Sequence, residues 1–429
     1  MEQMSFKQLN ETIYKEVLPN GLTVFILPKP GYHKTFATFT TNYGSIDNHF
    51  VPIGGEEPVS VPDGIAHFLE HKMFEDEQGD VFHTFGEQGA SANAFTSFTK
   101  TAYLFSSTQS IDENLETLLD FVQHPYFTVD SVEKEKGIIE QEIRMYEDNA
   151  DWQLFFRLLR NMYHNHPVKI DIAGTVDSIQ EITKEDLYTC YETFYHPSNM
   201  VLFIAGEANP EHMMGLIKEN QSSKTFKEPE EITRKFENEP EHVANERSVT
   251  PMSVNTPKCM VGYKIPPSDK QGNDLLRYEL SMDLLLEMLF GTGSDAHESL
   301  YADGLIDDSF STDFSVDRSF SFAVIGGDTS NPDELEKRIN QIMENAKVSG
   351  VSREQLERVR KKRIGNFLKQ LNSPEFIANQ YTGYVFSNIH LFEMLPVLET
   401  ITYEEINELL RSQFKKNRQA VSQIVKKAN

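Results

Sequence analysis

Residues 67–71 read His-Phe-Leu-Glu-His. Side chains four apart on a helix stack on one face, so His67 and His71 aim two imidazoles at one point. Glu70, three residues from His67, flanks that point without having to bind there. Two neutral imidazoles can grip a divalent ion, and a carboxylate beside them can take a proton from a water that the ion activates. The pattern reverses His-Glu-x-x-His and is a signature of zinc peptidases. A lone His on an apolar helix is more often a satisfied core residue. Here three ionisable groups share one short apolar stretch, Gly64 to Phe74. Each would cost roughly 2–7 kcal/mol to bury unpaired. Zn2+ is the expected cofactor.

A zinc ion that keeps one position for water needs three protein ligands. The helix carrying the first two is expected over 65–74, with Asp63 as its cap. Residues 131–163 contain no proline and no late glycine, and are expected as one long helix. That stretch offers Glu133, Glu135, Glu140, Glu142 and Glu147. Glu135 and Glu142 lie two turns apart on one face, flanking an apolar stripe of Ile138, Ile139, Ile143 and Met145. Glu142 is a credible ligand, and Glu135 a credible acid to orient a metal-bound His. Periodicity alone does not choose between Glu142 and the others.

Strands are expected at 18–27 after a turn, and at 34–43, 91–98, 102–107 and 200–206. Helices are expected at 79–89, 111–123 and from Asn209. Apolar runs vanish between Glu219 and Pro251. The second half repeats the order: a strand at 258–263, a helix at 274–290, strands near 309–316 and 319–326, then helices from Pro332 and Ser352. This reads as a duplicated α+β unit. The expected domains are a metal-bearing domain at 1–220, an acidic linker at 221–250 and a homologous domain without a metal site at 251–429. The second copy's first helix reads Met282-Asp283-Leu284-Leu285-Leu286-Glu287, with nothing like the His-Glu-His pattern.

The chain has 429 residues and a net charge of −26, from 66 acids against 40 bases. That balance argues against nucleic acid and against an anionic membrane surface as partners. Two cysteines, Cys190 and Cys259, fit a reduced compartment. The N-terminus lacks signal-peptide features, and no apolar run approaches the ~20 residues that span a bilayer. A cytoplasmic location is expected.

Several motifs together resemble the insulinase–pitrilysin–mitochondrial processing peptidase family, and within it the half-length bacterial YmfH-like subgroup. They are Leu18-Pro19-Asn20-Gly21-Leu22, His67-Phe68-Leu69-Glu70-His71, Asn93-Ala94-Phe95-Thr96 with Thr101 and Tyr103, and Glu135-x6-Glu142. The resemblance implies Glu142 as the third zinc ligand and Glu135 as its supporting carboxylate. It implies two homologous α/β-sandwich domains, each a mixed sheet packed by helices, forming half of a clamshell. It also implies that the sheet edge from Ser91 to Thr96, with Ala92, Asn93 and Ala94 in contact, pairs with an extended peptide.

Family members that work alone carry an Arg and a Tyr in a segment of the second half. Leu300 and Asp307 stand at those positions here, and neither can donate to an oxyanion. The expected function is a zinc-dependent endopeptidase of short or unfolded peptides, with Glu70 as proton acceptor. It would be the metal-bearing subunit of a dimer with a paralogous chain that supplies the Arg and Tyr, or with a second copy of itself. The alternative is a non-catalytic peptide-binding or assembly subunit of the same fold.

Overall fold

Segments rich in β-branched and aromatic residues form the strands, and segments with apolar residues three or four apart form the helices. The computed structural model describes residues 1–77 and 79–427. Strands β1 (Glu2–Phe6), β2 (Glu11–Val17), β3 (Thr23–Pro28) and β4 (Thr35–Thr41) come first. Two short ribbons, β5 (His49–Phe50) with β6 (Val59–Ser60) and β7 (Glu75–Asp76) with β8 (Gly79–Asp80), flank helix α1 (Ile65–Met73). Then come α2 (Val81–Glu87), β9 (Ala90–Thr96), β10 (Thr101–Ser107), α3 (Ile111–Val122), α4 (Val129–Asp148) and α5 (Ala150–Met162). Helices α6 (Val176–Glu181) and α7 (Lys184–Phe194), strand β11 (Met200–Gly206) and α8 (Pro210–Ser222) follow.

The second half contains β12 (Arg247–Met252), β13 (Lys258–Ile265), α9 (Gly272–Phe290), α10 (Asp295–Ala302), β14 (Ser311–Val316) and β15 (Ser321–Asp328). It ends with α11 (Pro332–Ser349), α12 (Arg353–Gln370), α13 (Pro374–Val385), α14 (Met394–Thr400), α15 (Tyr403–Gln413) and β16 (Gln419–Lys426).

One sheet has the order β1-β2-β3-β11-β4-β10-β9 and the other β12-β16-β13-β15-β14. Their directions correspond. β11 runs parallel to β3 and antiparallel to β4; β16 runs parallel to β12 and antiparallel to β13. The hairpins β9–β10 and β14–β15 complete each sheet antiparallel to β4 and β13. The duplication is therefore one of topology: the five strands of the second sheet match β3, β11, β4, β10 and β9, and β1 and β2 extend the first sheet beyond the shared pattern. β9 and β14 are the matching outer strands.

The chain divides into two compact units, neither of them one continuous stretch. The first holds 1–143, 171–235 and 370–392, and the second 144–170, 236–369 and 393–429. The segment expected as a linker is divided between them at Lys235. Each unit contains a helix from the other half of the chain. In the second unit α5 packs on β13 and β16; in the first, α13 packs on β4 and β11. The fit of α5 is specific. Leu154, Phe156, Leu158, Leu159 and Met162 are buried. Gly262 of β13 leaves room where a Cβ would stand 2.9 Å from both Leu158 Cδ2 and Met162 Sδ. On α13, Tyr381 meets Phe25 and Phe203 of the first sheet, with ring centroids 5.1 and 4.9 Å apart.

This exchange corrects the single long helix expected over 131–163. The helix stops at Asp148, and Asn149 starts a second one. The Asn149 backbone is extended and its side chain accepts hydrogen bonds from the N–H groups of Asp151 and Trp152. Asn competes with the helix for its own backbone donors, so it ends one helix by capping the next. The apolar stripe also needs correction: Ile139 and Ile143 are buried, whereas Ile138 and Met145 are exposed.

Candidate metal centre

Helix α1 owes its position to Gly64, which has a left-handed backbone (φ +88°). A Cβ there would lie 2.4 Å from the Ala173 carbonyl oxygen. The expected cap, Asp63, does not cap: the N-terminal position is Gly64 without a side-chain bond, and Asp63 instead accepts from Asn48 at 2.8 Å. Ile65, Ala66, Phe68, Leu69 and Met73 face the core. That burial fixes the rotation of the helix and turns His67 and His71 toward α4.

His67, His71 and Glu142 come together, each offering a ligand atom within 4.8 Å of the other two. Glu142 Oε1 is 3.7 Å from His67 Nε2, and Oε2 is 3.5 Å from His71 Nε2. Ligand atoms around a tetrahedral ion at about 2.0–2.1 Å stand roughly 3.3 Å apart. Each imidazole–carboxylate contact is thus near the spacing that a bound zinc requires, and the three ligand atoms together lie within 4.8 Å. Glu135 lies behind it, with Oε1 3.0 Å from His71 Nδ1, the carboxylate–imidazole contact that fixes a metal-binding tautomer. His67 Nδ1 is buried without a hydrogen-bond partner among the described residues.

Burial pushes the His67 imidazole down to about 3, reinforced by His71, so it is neutral and able to ligate. Burial would lower His71 too, but its bond to Glu135 and the surrounding carboxylates outweigh this and raise it. Burial would raise Glu135; the His71 bond and charge, with Lys72, hold it low. Glu70 is pushed above the usual carboxylate range by burial, against the pull of a hydrogen bond from Thr96. Lys72, fully buried on α1, pairs with Glu75.

Glu70 is 8% exposed and receives the Thr96 hydroxyl on Oε2 at 2.6 Å. Thr96 ends β9, so this contact ties the acid to the outermost strand of the first sheet. The sequence had marked Thr96 as part of a motif without giving it a partner. Alternation along the strand places Thr96, Ala94 and Ala92 on one face, but only the fold brings that face to α1. Ala92, Asn93 and Ala94 lie along β9, where the Ala94 N–H donates to Asn93 Oδ1 at 2.9 Å.

In the second unit Leu300 is wholly buried on α10. Asp307 is occupied locally, accepting from the N–H and hydroxyl of Ser309 at 2.9 and 2.6 Å. Among the described residues no helix is long and apolar enough to cross a membrane.

Residues 55–176 match the family model described as insulinase (peptidase family M16), and residues 181–363 the one described as peptidase M16 inactive domain. The "Uncharacterized zinc protease YmfH" of Bacillus subtilis (strain 168) is 54% identical over 428 residues, all of both chains. The crystal structure of an M16-like peptidase from Alicyclobacillus acidocaldarius superposes with a TM-score of 0.94 at 41% identity, covering 97% of this chain and 99% of that one. The periplasmic protease PqqL from Escherichia coli shares the fold at 17% identity and a TM-score of 0.74; all of this chain covers 48% of that one. Full-length identity above one half, on a fold that superposes end to end, makes the chain a member of the insulinase family of peptidases, M16.

Proposed function

We propose that this chain is a zinc-dependent endopeptidase acting on short or unfolded peptides, with zinc held by His67, His71 and Glu142. The observation that carries the reading is the convergence of two imidazoles and one carboxylate at near-ligand spacing, with a second carboxylate, Glu70, held beside them. When bound, zinc polarises a peptide carbonyl and lowers the pKa of water from ~16 towards ~7. Glu70 takes the proton from the attacking water and returns it to the leaving amine. Glu135 keeps the His71 ring oriented through Nδ1. The open side of β9 pairs with the extended backbone of the peptide, so main-chain hydrogen bonds supply affinity without demanding one sequence.

Glu70→Gln tests this directly. It should keep zinc and lose cleavage of a quenched peptide library by about 10²- to 10⁴-fold. Cleavage at the parent rate would overturn the proposal.

A second chain of the same fold is the proposed partner, either a paralogue or another copy. Leu300 is core and Asp307 is committed to Ser309, so this chain offers no oxyanion donor at either position. The same two residues favour the second reading, a peptide-binding subunit without turnover. Glu70 speaks against it, since a scaffold has no use for a buried proton acceptor beside a metal trio.

A further inference from the structure

Two threonines stand behind Glu70, on adjacent strands, and proton counting fixes how they are wired. Thr96 and Thr101 are cross-strand partners in the β9–β10 hairpin, with hydroxyl oxygens 3.3 Å apart. The Thr101 hydroxyl lies 3.0 Å from the Tyr43 carbonyl oxygen, which can only accept, so its single proton is used there. An ionised Glu70 can also only accept, so the single Thr96 proton goes to Glu70 Oε2 at 2.6 Å. Thr101 and Tyr43 are both 0% exposed. The hydroxyl that reaches Glu70 is therefore backed by a buried strand pair and a main-chain carbonyl, not by another mobile side chain.

We propose that Thr96 is a positioning residue for the hydrolysis, holding Oε2 of Glu70 so that Oε1 alone faces the attacking water. The inference rests on Glu70 being the proton acceptor. The water gives its proton to Oε1 as its oxygen bonds to the peptide carbonyl carbon. Oε1 then passes that proton to the departing amine nitrogen as the carbon–nitrogen bond breaks, and Glu70 is again a carboxylate. Oε2 stays bound to the Thr96 hydroxyl throughout. Thr96 also ends the strand along which the peptide is proposed to pair. A peptide laid along β9 steadies the backbone that aims the base, so the contribution falls on the chemical step rather than on affinity.

The test compares Thr96→Val, which keeps the shape, with Thr96→Ser, which keeps the hydroxyl, in the zinc-loaded protein assayed with whatever partner gives the parent full activity. Thr96→Val should lower kcat about 10- to 100-fold, the worth of a hydrogen bond to a charged group, with KM and zinc content unchanged. Thr96→Ser should recover most of that loss. A kcat within threefold of the parent for Thr96→Val, or an equal loss for both variants, would overturn the proposal. A crystal structure of zinc-loaded Thr96→Val gives a readout independent of turnover. Its Glu70 carboxylate should be rotated or split between rotamers, and a single parent-like position would count against the idea. Glu70→Gln in the same assay separates the two levels: if it still cleaves, the acceptor assignment fails; if it is inactive while Thr96→Val is not, only the Thr96 assignment fails.

Discussion

The two units place the same pair of helices in the same order and put different chemistry on them. In the first, α1 lies between β4 and β9, and α4 follows α3; in the second, α9 lies between β13 and β14, and α12 follows α11. Helix α1 carries His67 and His71 four apart, facing Glu135 and Glu142 of α4. Helix α9 carries Asp283 and Glu287 four apart, facing Arg363 and Lys362 of α12. Arg363 Nη2 donates to Asp283 Oδ2 at 3.0 Å, and Lys362 pairs with Glu287. The difference lies in where the positive charge comes from. In the second unit the chain supplies it as guanidinium and ammonium. In the first, imidazoles and carboxylates converge, and under the proposed function an external cation would complete the balance. Even with its partner, burial pushes Asp283 up to about 6, with Asp313 and Glu287 adding to the effect, so that site is an acid cluster held by built-in cations.

If the contrast is right, removing the external cation should disable the first unit and leave the second intact. Chelation, or His71→Ala, should reduce peptidase turnover by at least about 10³-fold with little change in the circular dichroism of the folded chain. Restored turnover on adding zinc back to the chelated protein but not to the His71→Ala protein would tie the effect to this site. Glu135→Gln should be milder, lowering zinc affinity about 10- to 100-fold by competition titration, because it loosens the His71 ring without removing a ligand.

The remaining tests address how the second unit is held. Gly262→Val should lower stability by about 2 kcal/mol in denaturant melts, since it pushes into Leu158 and Met162 of α5. An unchanged midpoint would mean that α5 does not depend on that close approach. The smallest effect is expected for Arg363→Met. The Arg363 end is solvent-accessible, and Asp283, already pushed up to about 6 by burial, can take a proton when its partner is lost, so the change should cost about 1 kcal/mol and leave zinc content untouched. A loss of zinc in that variant would break the claim that the two sites are independent.

The motifs made the candidate metal centre partly legible from the sequence alone. His67, Glu70 and His71 fall within five residues on one helix, where spacing in the chain is spacing in space. Most of the central strands and helices, and the duplication, also followed from alternation and periodicity, which are local properties. The edge position of the 91–96 strand came from family resemblance, and strands β1, β2, β12 and β16 were not expected. Glu142 is 71 residues beyond His71, and periodicity alone left it one glutamate among five; family resemblance selected it, and the geometry now puts it 3.5 Å from that imidazole.

What the sequence determined was short-range: which residues could be helical, which side of each helix was apolar, and which side chains could bind a metal together. What only the tertiary structure decided was long-range. Asn149 looks like any polar residue in a helical run until its neighbours show that the chain must turn there to lay α5 on the other unit's sheet. Thr96 looks like a strand residue until β9 is laid beside α1 and its hydroxyl meets Glu70. Both depend on close packing between segments far apart in the chain, and that complementarity is a property of two surfaces, which no window of neighbouring residues contains.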